Sequence, residues 1–183
     1  MSVAFEFDTD LAQEAKRFAA DVVGRWHPDL KEHEVTFTIG LAYNRDKDGQ
    51  LVEDEPPLKD DQRAVYFKIS TTPTVQRADH RADVQILLDG HHWTEQLPDA
   101  DKIAILDCAI SFLEVRLDKD KVIITDPQGR PKLGIKAADW DLRGFEAVAR
   151  RHGEHSIEVQ QGRKFQERFG QVVLAAEAAP LFA

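Results

Sequence analysis

The sequence predicts an α+β fold in a single main domain, on three observations. Residues 10–26 repeat apolar side chains at helical spacing. Residues 35–43 alternate apolar and polar with period two, and residues 98–117 form the longest apolar-periodic run, at the centre of the chain. Together these imply a small mixed or antiparallel sheet, a buried central helix and flanking helices.

Taken in order, Met1 to Asp10 has neither a basic flank nor a long apolar run, so no signal segment or membrane span is expected there. Asp8 or Thr9 is placed to cap a helix running to about Trp26, with Leu11, Ala15, Phe18, Ala19, Val22, Val23 and Trp26 as its apolar stripe and His27-Pro28 as its stop. Val35, Phe37, Ile39, Leu41 and Tyr43 then alternate with Glu34, Thr36, Thr38, Gly40 and Ala42, the signature of a half-buried strand. Asn44 to Asp61 holds turn residues, two prolines and an excess of acids, and reads as a solvated or partly disordered loop. Its Asp46, Asp48 and Gln50 resemble the start of an EF-hand, but the glycine and terminal glutamate that such a loop needs are out of place.

Val65, Phe67 and Ile69 give a second alternating strand, and Ala82, Val84, Ile86 and Leu88 a third that ends at Asp89-Gly90. In the central run, Ile103, Leu106, Ile110, Leu113 and Leu117 form one stripe and Ala104, Cys108, Phe112 and Val115 a second. A helix over 98–117 would therefore show only a narrow polar wedge near Asp107, Ser111, Glu114 and Asp118. Residues 121–125 and 133–135 flank a turn-forming segment and predict a hairpin. A helix from Asp139 or Asp141 through His152, stopped by Gly153, and a last helix over about 158–178 complete the chain.

The 183 residues are 42% hydrophobic, enough for one sizeable core, and the expected division is 1–157 as the domain and 158–183 as a C-terminal helix and tail. A net charge of −9 argues against a general grip on nucleic-acid phosphates or an anionic membrane. One cysteine leaves no internal disulfide, and a cytoplasmic location follows as the expectation. Arg150, Arg151, Arg163, Lys164 and Arg168 make a basic end suited to an acidic partner or, the favoured reading, to charge pairing with the acidic 44–61 loop.

The central run also resembles the core of the phage metallopeptidase-like family, zincin-type proteins of phages and prophages. The residues that carry the resemblance are Trp93, Leu97, the segment Ala104-Ile105-Leu106-Asp107-Cys108-Ala109-Ile110-Ser111-Phe112, and the later segment from Trp140-Asp141-Leu142-Arg143-Gly144-Phe145 to Arg151-His152-Gly153. They cover roughly residues 10–153. The family's helix carries His-Glu-x-x-His, two imidazoles one turn apart that grip zinc and a glutamate that activates the bound water. Cys108, Ala109 and Phe112 stand at those three positions and Trp140 where a third ligand would come. The resemblance thus implies the family's frame with a degenerate site, holding no metal and needing no cofactor.

Function follows from that frame. The leading expectation is a catalytically inactive metallopeptidase-like protein of phage or prophage origin that works by binding a protein partner. Cys108 is expected to be a buried, inert thiol packed near Phe112, and Trp140 to meet Phe112 over the former metal position. The competing class is an enzyme rearranged around Cys108, Asp107, Asp141 and His152, or a relocated metal on His91, His92, Asp141 and His152. A third class is an acidic anti-defence or DNA-mimicking protein.

Overall fold

The computed structural model describes residues 2–52, 55–60, 63–77, 81–138, 152, 155, 159–160 and 162–167. The chain divides into two compact units, Met1–Ala137 and Ala138–Ala183; the expected boundary at 157/158 lies inside the second. The described part of that second unit is helical at 159–160 and 162–167. The expected helix starting at Asp139 or Asp141, with Trp140 and Asp141 themselves, lies outside the described residues apart from His152.

The first unit opens with a strand that periodicity did not reveal, β1 (Ser2–Glu6). Next comes α1 (Asp10–Trp26), capped as expected by Thr9, whose hydroxyl accepts the Ala12 N–H at 3.2 Å. Its buried stripe is Ala12, Ala15, Ala19, Val22 and Val23, whereas Trp26, expected inside, is 50% exposed at the last turn. Pro28 begins the short α2 (Pro28–Glu32), which leads into β2 (Phe37–Arg45). β3 (Lys59–Asp60) and β4 (Arg63–Ala64) form a minimal ladder, and β5 (Phe67–Thr71), α3 (Thr74–Arg77) and β6 (Val84–Asp89) follow.

The main sheet is four-stranded and mixed, in the order β1-β2-β6-β5. β2 runs parallel to β6, and β1 and β5 are antiparallel to their neighbours. The register lines up Ile39 with Ile86, and Ile86 with Ile69, on the face where α1 packs. β2 was expected to be buried on one face only, yet Gly40, Ala42 and Asn44 are buried as well. The reason at Gly40 is close approach: a Cβ there would sit 2.5 Å from Cε1 of Phe7, so only glycine lets that ring lie on the strand. The 44–61 segment is likewise not wholly solvated, since Asn44 and Arg45 belong to β2 and Leu58 is 3% exposed.

The central helix needs the largest correction. α4 spans Asp99–Ser111, buries Lys102, Leu106, Ala109 and Ile110, and stops at Phe112, its C-cap. Leu113 to Val115, assigned above to the helix, is instead strand β7, paired antiparallel with β8 (Leu133–Ile135). Leu-Glu-Val-Arg-Leu alternates as well as it fits a helical stripe, and the partner strand decides the matter. Bridges Leu117–Ile123 and Thr125–Pro131 extend this into a small meander. Its two turns follow one design: Asp118 Oδ1 accepts the N–H of Asp120 and Val122, and Asp126 Oδ1 those of Gln128 and Arg130. The 46–50 turn repeats it, and each has a positive φ at its fourth position, in Gly49, Lys121 and Gly129.

A buried ionic cluster ties these parts together. Arg77 Nε donates to Asp83 Oδ1 at 2.8 Å and its Nη1 to the Pro131 carbonyl at 3.0 Å, while Asp83 Oδ2 accepts from both the amide and the hydroxyl of Thr36 at 2.9 Å. Asp126 lies 3.5 Å from Arg77 and 3.4 Å from Arg130. Arg77 is 4% exposed and Asp83 5%. Asp83→Ala strands a buried guanidinium, and a loss of about 3–5 kcal/mol in urea-denaturation stability is the expected result. Asp126 also links stability to pH. Burial works to raise its pKa, but the amides of Arg130 and Gln128 and the two guanidiniums outweigh it, so the carboxyl titrates below its ordinary value. A depressed folded pKa contributes stability that is present above the unfolded pKa and lost as pH falls through the folded one. Urea midpoints of Asp126→Asn should therefore depend less on pH than those of the parent in the acid range below about 4.

Candidate functional site

Phe112 and β5 border a concavity. An open groove of about 600 Å³ is lined by Asp60, Ala64, Val65, Tyr66, Phe67, Lys68, Ile69, Phe112 and Ile135. Its apolar floor arises where α4 ends: the Phe112 ring meets Phe67 edge-on, with centroids 6.0 Å apart and planes at 60°. Six consecutive residues, 64–69, line one wall. Of these, Phe67, Lys68 and Ile69 belong to β5, and because the side chains of a strand alternate between faces, lining residues that are consecutive in it place the groove along its edge. β5 is the last strand of the sheet on that side, and among the described residues no strand pairs with its outer edge.

The positions singled out by sequence on α4 differ in burial. Ala109 is fully buried and Phe112 lines the groove, but Cys108 is exposed, a correction to its expected burial. Leu106, Ala109 and Ile110 belong to the buried face of α4, a helix that packs on α1, and Cys108 falls just off that face. Its thiol is nonetheless poorly activated, because partial desolvation and then the neighbouring Asp107 carboxylate both raise its pKa. Asp107 itself is engaged with His27, whose Nε2 lies 2.7 Å from Asp107 Oδ1 and links the end of α1 to α4. Alkylation of Cys108 should reach completion without denaturant, with a rate still climbing well above pH 8. A rate already at its plateau at neutral pH would show a lowered pKa instead.

His91 and His92 serve the end of β6. Asp89 Oδ1 accepts both of their backbone N–H groups, at 2.9 and 3.3 Å. The His91 ring takes the Asn44 N–H on Nε2 at 3.4 Å and stands edge-on to Tyr43, whereas the His92 ring stacks on Tyr66 at 4.4 Å. His152 is exposed in the second unit, and Asp141 lies outside the described residues. Among the described residues no three metal-ligating side chains come together.

Besides Asp89 at the end of β6, the buried charged side chains that sequence reasoning missed among the described residues fall in two places. The ionic cluster around Arg77 is one, and Lys102 is the other: 2% exposed, it donates to Glu14 Oε2 at 2.9 Å and lies 5.9 Å from the centroid of the buried Trp93 ring. A lysine inside an otherwise apolar helix was the available signal. No helix among the described residues is long and apolar enough to cross a membrane. Comparison with known proteins gives no match: no family model, no curated protein and no solved structure matches this chain.

Proposed function

We propose that this chain is a catalytically inactive metallopeptidase-like protein of phage or prophage origin that acts by binding an extended segment of a partner protein along β5. The observation that carries the reading is the groove itself, an apolar floor containing Phe112 beside the outer edge of β5, with which no strand among the described residues pairs. An edge strand offers unpaired N–H and C=O groups that an extended ligand can satisfy, and the apolar floor supplies a pocket for alternate side chains of that ligand. The residues at the three motif positions are a weakly acidic thiol, a methyl group and an aromatic ring. None of these supplies the imidazole pair and carboxylate that hydrolysis on zinc requires. The competing reading, an enzyme built on Cys108, is disfavoured by the raised thiol pKa.

Selection from a displayed library of random unstructured peptides tests this. Apolar-alternating sequences should be enriched, should shift the backbone amide resonances of residues 66–69, and should lose at least about tenfold in affinity on Phe112→Ser, the loss of one well-buried anchor. Binders that map elsewhere, or metal-dependent cleavage of any selected peptide, would overturn it.

A further inference from the structure

The opposite edge of the sheet is built differently. β1 is the outermost strand there, and among the described residues only β2 pairs with it. Val3 is 41% exposed and Phe5 47%. Their register partners, Asn44 and Ala42, place them on the face turned away from Leu41 and the α1 side. Natural edge strands are guarded by lysine, proline or a bulge. β5 carries Lys68, whereas β1, Ser-Val-Ala-Phe-Glu, has neither lysine nor proline. Its one charge, Glu6, is already neutralised by Arg45, whose Nη2 lies 2.6 Å from Glu6 Oε1.

We infer that a second copy of this chain joins the sheet at β1, the two Ser2–Glu6 strands pairing antiparallel about a two-fold axis at Ala4. That register is self-complementary, as an isologous contact must be. Val3 faces Phe5 of the second copy on both sides of the axis, an aliphatic–aromatic cross-strand pair made twice. Ser2 faces Glu6, a hydroxyl donor opposite a carboxylate with one oxygen not engaged by Arg45. No like charges meet. The Ala4-centred arrangement also joins the two apolar patches into one, continuous with the Phe7 ring that lies over Gly40. β5 offers no such match, because pairing about Ile69 would set Lys68 against Ser70 and Phe67 against Thr71. A five-residue seam is short of the roughly 1,200 Å² of a stable standard interface, so association is weak and concentration-dependent.

Sedimentation velocity on the full chain, from low to high micromolar, reads this directly. The parent should move from monomer toward dimer as concentration rises. Val3→Lys with Phe5→Lys sets introduced ammonium groups opposite each other and should stay monomeric. Val3→Lys with Phe5→Glu sets each ammonium opposite a carboxylate of the other copy and should dimerise again. Far-UV circular dichroism checks that the variants fold. Hydrogen exchange on the unaltered chain gives a reading that needs no variant, since amides within residues 2–6 should gain protection as concentration rises. A parent that is monomeric throughout overturns the inference. So does a double-lysine variant that dimerises like the parent, or a charge-swapped variant that remains monomeric while the parent dimerises.

Discussion

Two pairs of side chains far apart in sequence, Arg77 with Asp83 and Asp126 with Arg130, hold the beginnings of the central strands to the meander. Asp83 stands just before β6, and through Thr36 it also fixes the entry to β2. Two parallel strands have no tight turn to set their register, and a clamp at their common start supplies it. Arg77 extends the clamp through α3 to the carbonyl of Pro131, so the sheet and the 126–131 turn share one set of charges. An ionic cluster in that position is a costly way to gain stability, because each group must be desolvated. What it contributes is directionality: the guanidinium is satisfied only when strand, helix and turn all arrive together.

The helical layer uses a smaller version of the same device. Lys102 reaches Glu14 across the α1–α4 contact, and His27 reaches Asp107 at the other end of it. Between them the packing is mostly small, with Ala12, Ala15, Ala19 and Ala109 fully or almost fully buried, which lets the helices approach closely. Apolar small-residue packing alone tolerates sliding by a turn. Two polar pairs separated along the axis remove that freedom.

What could be read from sequence divides along the same line. α1, β2, β5 and β6 were legible because each announces itself locally, by a capping Thr9, a Pro28 stop or a clean period of two. β1 was not, since five residues with serine and glutamate at their ends carry little pattern and acquire meaning only against β2. α4 was read six residues too long at its end because 113–117 satisfies two periodicities at once, and the choice rests on a partner some twenty residues later. The ionic cluster and the Lys102–Glu14 pair join residues separated by as many as 88 positions, and local patterning holds no trace of such pairings. Of the positions at the candidate site, Phe112 was expected to meet Trp140, which lies outside the described residues, and its contact with Phe67 was not foreseen, while Cys108, expected inside, lies exposed.

The end of α4 is where fold and proposed function meet. Positions 108 and 112 stand one turn apart at the end of α4, the spacing that a pair of metal-ligating imidazoles uses. The chain leaves the helix at Phe112 and enters β7, and the aromatic ring meets Phe67 at the edge of the sheet. That departure supplies the groove, since the meander that begins at Leu113 brings Ile135 to the groove's far wall. The aromatic ring is therefore more than a residue standing where chemistry would be expected. It closes the helix, packs the edge strand and forms the floor on which an extended ligand would rest, so restoring a histidine there would have to sacrifice all of these before it could gain a metal.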